Sequence, residues 1–310
     1  MNLAPIALFT YNRPEETSAT LDAICANPES TGSVLFVFSD APKKEEDVDK
    51  VEKVRALLHG IPAGRFKEVR IIEQTSNLGL AKAIISGVNT VFEEFDRIIV
   101  LEDDCEVSPY FLNYMNKALE KYENSGSIGS ISGFSPALKR IPDDDVYAVM
   151  RSCSMSWASW KYVWERVDFE VKDYRKMRND IRFIRAMNRA GNDRMYRFIR
   201  QKKYDLQSWS IRFAADLTKR GLLTVYPKYS YVMNNGLESG GVHSSCSAPD
   251  ALKTENDMAV RDPVLPDTLK ENRKIEREFY SIYGGSMKSR IKRSIYVYLG
   301  ERIIDRVKRK

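Results

Sequence analysis

The stretch Ile98-Ile99-Val100-Leu101-Glu102-Asp103-Asp104 places four apolar residues directly before three acidic ones. A short apolar run that ends so abruptly predicts a buried strand with a polar turn at its carboxyl end. Three carboxylates this close raise one another's pKa values, and a divalent cation with oxygen ligands relieves their repulsion. The stretch therefore predicts a strand that ends at a cation site, with a solvated acidic turn as the alternative.

Three apolar runs earlier in the chain end in the same way. They cover residues 4–9, 34–38 and 69–72, and each is followed by polar residues and then by a helical pattern. Strands that alternate with helices predict an α/β fold with a parallel, doubly wound sheet over residues 1–104. In such sheets ligands bind beyond the carboxyl ends of the strands, which is where the polar residues lie.

After residue 105 the alternation becomes irregular. Short strands are predicted near 127–132 and 146–150, followed by long charged helices to about residue 220 and a Gly/Ser/Pro-rich loop over 235–249. Loops of that length often act as lids. Three tryptophans, Trp157, Trp160 and Trp164, recur at helical spacing, which predicts one helix face that belongs either to the core or to an acceptor site. The pattern indicates a second lobe.

The composition excludes several classes of protein. With 43% hydrophobic and 30% charged residues among 310, the chain is neither disordered throughout nor fibrous. No window reaches the roughly 18 consecutive apolar residues of a membrane span. Four cysteines without a C-x-x-C pair predict neither a disulfide framework nor a zinc site. The first residues lack the basic start of a secretory signal, so we expect a cytoplasmic protein.

The formal charge of +6 is unevenly distributed. Residues 286–310 hold nine basic side chains against Glu301 and Asp305, a net of +7 that leaves −1 for the rest. Nucleic-acid binding favours basic residues spread over a folded face, so we expect no nucleic-acid partner. Apolar residues recur every three or four positions in this segment, which predicts a basic amphipathic helix suited to an anionic membrane surface. The alternative is that its apolar face packs on the protein or on a second subunit.

Together these motifs resemble those of inverting glycosyltransferases with the GT-A fold, a Rossmann-like sheet with an acceptor-binding lobe. The acidic triplet is similar to the Asp-x-Asp signature of family 2, and its Glu-Asp-Asp form is closest to the N-acetylglucosaminyltransferase I group. A second block, comprising Tyr204 to Trp209, Asn234-Asn235-Gly236 and Val242-His243-Ser244, looks like the Trp-Asp-x-Gln-Trp, Asn-x-Gly and Thr-His-Thr series of bacterial polysaccharide glycosyltransferases. The resemblance covers roughly residues 4–245.

The resemblance implies a role for individual residues. Those implied to bind the nucleotide-sugar donor are Thr10, Arg13, Asp40, Asn77, Gly79, Lys82, Glu102 and Asp103. Among them, Asp40 is implied to accept the uracil N3–H. Asp104 is implied to hold Mn²⁺ or Mg²⁺, and His243 to reach the metal or the diphosphate from the long loop. Asp205 is implied to be the general base that takes the acceptor's hydroxyl proton.

The resemblance also implies how the chain is divided. Residues 1–104 would form the nucleotide-sugar-binding half of one GT-A domain, and residues 105–250 its acceptor-binding and catalytic half. Residues 251–285 would form a helical extension, and residues 286–310 the C-terminal amphipathic helix.

The implied activity is transfer of a hexosyl or N-acetylhexosaminyl group from a UDP-linked donor to a glycan acceptor on a lipid carrier. That reaction would serve bacterial surface polysaccharide synthesis at the inner face of the cell membrane. A sugar-nucleotidyltransferase is an alternative with a similar sheet, but it needs a Gly-rich basic loop after the first strand, and residues 10–14 contain no glycine. A nucleotide-sugar-binding module without activity is the other alternative.

Overall fold

The computed structural model describes residues 2–234, 250–252, 254 and 259–300. Ten strands lie within these residues: β1 (Ile6–Thr10), β2 (Val34–Ser39), β3 (Glu68–Glu73), β4 (Arg97–Glu102), β5 (Cys105–Val107), β6 (Ile128–Ser132), β7 (Val146–Val149), β8 (Trp157–Trp160), β9 (Leu223–Pro227) and β10 (Val232–Asn234). Eight of them form one sheet in the order β3-β2-β1-β4-β8-β6-β9-β7, and β5 pairs with β10 in a small antiparallel sheet.

The large sheet is mostly parallel, as the alternating pattern predicts. Strands β1 to β4 run parallel, with Phe9 of β1 opposite Glu102 of β4. Strand β8 is antiparallel to both β4 and β6, and β7 is antiparallel to β9. The predicted α/β fold class is therefore confirmed. The division into four segments stays a prediction.

Eleven α-helices lie within the described residues: α1 (Pro14–Cys25), α2 (Val48–His59), α3 (Leu80–Phe92), α4 (Phe111–Tyr122), α5 (Lys161–Trp164), α6 (Tyr174–Asn179), α7 (Ile181–Asn188), α8 (Asp193–Lys203), α9 (Trp209–Arg220), α10 (Arg273–Gly284) and α11 (Met287–Leu299). Helix α3 lies close to the sheet because Gly87 has no side chain: a Cβ atom there would be 2.6 Å from the Phe9 ring. None of these helices combines the length and the apolar composition needed to cross a membrane.

The tryptophans lie in the core and do not share a helix face, so the predicted helical face was wrong. Trp157 and Trp160 are in β8, which pairs with β4, and Trp164 ends the short helix α5. All three are buried. The Trp157 ring packs 5.5 Å from Trp164 and 5.1 Å from Trp209, between ring centroids. Of the two alternatives, the structure favours a core role.

Helix α9 brings its first residues to the edge of the sheet where β4 ends. Strand β9 is parallel to β6, and both β6 and β4 are antiparallel to β8, so β9 runs in the direction of β4. Helix α9 leads into β9 through a turn at Gly221, whose φ of +70° is the left-handed conformation that favours glycine. A helix that runs back across the sheet before β9 would begin at the edge where β4 ends, so we expect Asp205, four residues before Trp209, near that edge.

A second apolar core lies between α9 and the helices α6, α7, α8 and α11, and it includes Met187, Phe198, Ile211 and Val297. Helix α11 contributes Tyr296 and Val297 to it and its Ile295 is half-buried, while its other apolar side chains, Met287, Ile291, Tyr298 and Leu299, are exposed. The predicted C-terminal helix thus packs on the protein in part. Its last ten positions, 301–310, lie outside the described residues.

Replacing Trp157 with alanine should destabilise the fold strongly, because its ring joins β4, β8 and α9. The expected loss is about 3–5 kcal/mol of unfolding free energy, measured by urea denaturation. Ile141→Ala, at a side chain that is 55% exposed, is the control and should change stability by less than about 0.5 kcal/mol. Equal denaturation midpoints for the two variants would contradict the core role.

Candidate active site

The loop after β1 meets the acidic triplet after β4. The Arg13 guanidinium lies 2.9 Å from Asp104 Oδ2 and 3.7 Å from Asp103 Oδ1, measured from Nη1. The backbone N–H of Tyr11 donates to Asp103 Oδ2 at 3.1 Å. Three predicted site residues are thus brought together, because β1 and β4 are neighbouring parallel strands that end at one edge.

The triplet is electrostatically strained. Burial, with repulsion by Asp104 and Asp103, raises the pKa of Glu102 to about 8. Burial and repulsion by Asp104 likewise raise the pKa of Asp103 to about 7, and Arg13 only partly opposes the increase. Additional positive charge at this edge would stabilise the ionised carboxylates.

The side chains of the acidic triplet suit a hard cation such as Mg²⁺ or Mn²⁺, because the ligands they offer are carboxylate oxygens. Within the described residues no group of three or more His, Cys, Asp or Glu side chains is arranged to hold a metal ion. A cation at Asp104 would therefore need further ligands from phosphate oxygens and water, which is the usual coordination of Mg²⁺ at nucleotide sites. His243, the other implied ligand, lies outside the described residues.

Asp40 organises the loops after β2 and β3. Its carboxylate accepts backbone N–H bonds from Ala41, Leu78 and Gly79, each at 2.9 Å. The Asn77 side-chain amide donates to the Ala41 carbonyl at 2.7 Å. A carboxylate has about four acceptor positions, so Asp40 retains one for a ligand after fixing both loops.

The first turn of α3 adjoins these loops. Gly79 precedes the helix with φ +70°, and a Cβ atom there would meet nothing within 4 Å. Glycine is therefore favoured at this position by the backbone conformation and not by lack of space. Lys82 is exposed in the first helical turn, which contains no acidic side chain. Helix N–H groups and a lysine at one helix start favour a bound anion.

The side chains of two predicted residues, Thr10 and Lys82, are not linked to the other predicted site residues that the structure describes, although the Thr10 carbonyl accepts the backbone N–H of Asp40 at 3.1 Å. Thr10 is buried, and its hydroxyl has no hydrogen-bond partner among the described residues. In the same part of the chain no hydrogen bond or ion pair joins Lys82 to another predicted site residue. The donor-binding roles of both residues stay predictions.

Asp47 is a positioning residue that the sequence did not reveal. Its carboxylate accepts bonds from the Tyr11 hydroxyl and from the Asn12 side-chain amide, both at 2.8 Å. The Tyr11 hydroxyl also accepts the backbone N–H of Lys43 at 2.9 Å. Hydrogen bonding by Tyr11 lowers the pKa of Asp47. Asp47 thus holds the loop that carries Arg13, although it stands in a charged run that is typical of a solvated surface.

Asp205 is exposed and has a left-handed backbone, with φ +48°. Its Oδ1 accepts a bond from the Gln207 side-chain amide at 3.0 Å, and Gln207 Oε1 accepts one from Arg212 at 2.7 Å. Arg212 also donates to the Phe169 carbonyl at 2.9 Å. The sequence did not single out Arg212, which fixes this loop. Trp209 is buried, so it supports the loop from the core and is not placed to stack on a sugar.

The family model for glycosyl transferase family 2 matches residues 6–200, which contain β1 to β8 and the acidic triplet but end before Asp205. The crystal structure of S. aureus TarS is similar at 13% identity and a TM-score of 0.30, over 48% of this chain and 24% of that one. This chain therefore spans about a quarter of that chain's length. No curated protein matches the sequence. Because the family match extends over more than half of the 310 residues, the chain belongs to glycosyl transferase family 2.

Proposed function

We propose that this glycosyltransferase uses a UDP-linked sugar and a divalent cation, and transfers the sugar with inversion to a lipid-linked glycan acceptor. The observation that carries the proposal is the closely spaced, mutually repelling set of carboxylates after β4, which Arg13 neutralises only in part. Such a set favours a bound cation, and a cation complexed to a diphosphate supplies the ligands that the protein lacks.

The donor would lie across the loops after β1, β2 and β3. The remaining acceptor position of Asp40 suits the uracil N3–H, since an ionised carboxylate is a strong acceptor. Lys82 and the N-terminus of α3 suit the diphosphate. Glu102 and Asp103 would face the ribose and the donor sugar.

Asp104 would hold the cation, with His243 as a second candidate ligand. When bound, Mn²⁺ or Mg²⁺ would supply positive charge that stabilises the departing nucleoside diphosphate. Arg13 contributes to the same end, because its guanidinium already lies beside Asp104 and remains charged at any working pH.

Asp205 would act as the general base. Inversion needs a carboxylate on the side of the sugar opposite the leaving group, where it takes the proton of the acceptor hydroxyl. Two observations support this role: Asp205 is exposed in the turn that precedes α9, and the Gln207–Arg212 pair orients its carboxylate.

The acceptor is proposed to be lipid-linked, with the enzyme peripheral to the inner face of a bacterial membrane. The sugar would be a hexosyl or N-acetylhexosaminyl group for a surface polysaccharide. The basic segment 286–310 supports this location by its charge. Since α11 also buries Tyr296 and Val297, deletion of the whole segment would disturb the second core as well.

Asp104→Asn should abolish the stimulation of UDP release by Mn²⁺, because the cation loses its charged ligand. The fold should survive, since removing one of three crowded charges lessens repulsion at Glu102 and Asp103. UDP release is measured across a Mn²⁺ titration, and thermal unfolding is measured without metal.

The matched control for this experiment is Asp49→Asn, at an exposed acid on α2. It should leave the Mn²⁺ titration unchanged. Full activity of the Asp104 variant at low Mn²⁺ would refute the metal assignment.

Asp205→Asn should lower kcat by about two to four orders of magnitude, the range expected when a general base is lost. UDP binding should change little, because Asp205 is outside the donor loops. Steady-state kinetics with a glycan acceptor and calorimetry with UDP measure the two quantities separately. If UDP affinity falls while kcat is retained, another residue is the base.

A further inference from the structure

Three helices, α7, α8 and α11, form an outer layer over α9. Helix α8 contacts both α7 and α11, and α7 and α8 both contact α9. The Tyr196 and Tyr296 rings join α8 to α11 at 5.0 Å between centroids. The inner sides of the three helices are buried in the second core, so their outer sides form one continuous surface, called here the basic helical surface.

The charge of this layer is concentrated and of one sign. Eight basic residues lie within 181–203: Arg182, Arg185, Arg189, Arg194, Arg197, Arg200, Lys202 and Lys203. The single acid there, Asp193, is buried and paired with Arg151 at 2.9 Å. Residues 287–299 of α11 add Lys288, Arg290, Lys292 and Arg293 and no acid. The net charge of −1 outside 286–310 conceals this concentration.

Some of these cations serve the fold. Arg194 is buried and donates to the Met150 and Ala214 carbonyls, and Arg189 pairs with Glu271. Others face outward, namely Arg182, Arg185, Arg200, Lys202, Lys288 and Lys292. In the part of the chain that the structure describes, no acidic side chain forms an ion pair with any of these six. Their charge is therefore available to a partner.

Exposed apolar side chains accompany the outward-facing cations of α7 and α11. Ile181 is 45% exposed, Met287 69%, Ile291 54%, Tyr298 50% and Leu299 61%. Each of the first three directly precedes a basic residue in the sequence. A purely polyanionic partner would leave these side chains in water, whereas a bilayer offers phosphates to the cations and an apolar boundary to their neighbours.

We infer that the basic helical surface docks on the anionic phospholipids of a membrane. The inference rests on the proposed lipid-linked acceptor, and it extends the membrane contact from the C-terminal segment to α7 and α8. Helix α8 ends at Lys203, two residues before Asp205. Docking through this surface therefore turns the proposed acceptor end of the active site toward the bilayer, where a lipid-linked acceptor reacts without leaving the membrane.

The test is sedimentation of the full chain with vesicles of phosphatidylcholine, with and without 30% phosphatidylglycerol, in the absence of donor. The wild type should bind the anionic vesicles and release them in high salt. R182E/R185E, which changes only α7, should weaken that binding at least tenfold. R182K/R185K should bind like the wild type, because it retains both charges. K50E/K53E, at exposed lysines of α2, is the matched control and should also bind normally.

UDP release in solution is measured in parallel for every variant. This measurement distinguishes a failure of the membrane-docking inference from a failure of the proposed function. R182E/R185E should keep wild-type UDP release and a wild-type melting temperature. Normal binding of R182E/R185E to anionic vesicles would overturn the inference. The inference would also be overturned if the wild-type protein bound polyuridylate and did not bind the vesicles, because the surface would then recognise nucleic acid.

Discussion

Like-charge repulsion among Glu102, Asp103 and Asp104 is the constraint around which the candidate active site is organised. Burial raises the pKa values of Glu102 and Asp103, and a single guanidinium, that of Arg13, opposes the increase only in part. Two other carboxylates at the same edge are satisfied: Asp40 by three backbone N–H groups, and Asp47 by Tyr11 and Asn12. Asp40 and Asp47 thus fix the loops, whereas the mutual repulsion within the triplet favours a bound cation.

Packing of buried aromatic rings connects the strand that carries the acidic triplet to the helix that follows Asp205. Trp157 lies on β8 beside β4, and its ring packs on Trp209 at the first position of α9. The loop that carries Asp205 therefore leads into a helix that packs against β8, the strand paired with β4. Arg212 adds a second anchor through Gln207 and the Phe169 carbonyl. The loop with the proposed base is thus connected through the aromatic core to the strand that carries the acidic triplet.

The sequence predicted the four parallel strands because each is a short apolar run with a polar end. It did not predict β8. The spacing of Trp157, Trp160 and Trp164 fits one face of a helix, but in the structure the first two lie in a strand and the third ends a short helix. Asp47 and Arg212 were missed because their partners Tyr11 and Phe169 are 36 and 43 residues away. The positive charge of α7 and α8 was missed because the net charge was summed over all residues outside 286–310, which include acidic segments elsewhere in the fold.

The most direct test of the central claim is calorimetry of UDP binding to the wild-type chain, with Mn²⁺ and with a chelator. The raised pKa values of Glu102 and Asp103 favour a bound cation, but the described side chains offer too few ligands to hold one alone, so UDP and Mn²⁺ should bind cooperatively. We predict that Mn²⁺ tightens UDP binding at least tenfold, a coupling of about 1.4 kcal/mol or more. Equal UDP affinity with Mn²⁺ and with chelator would contradict the account.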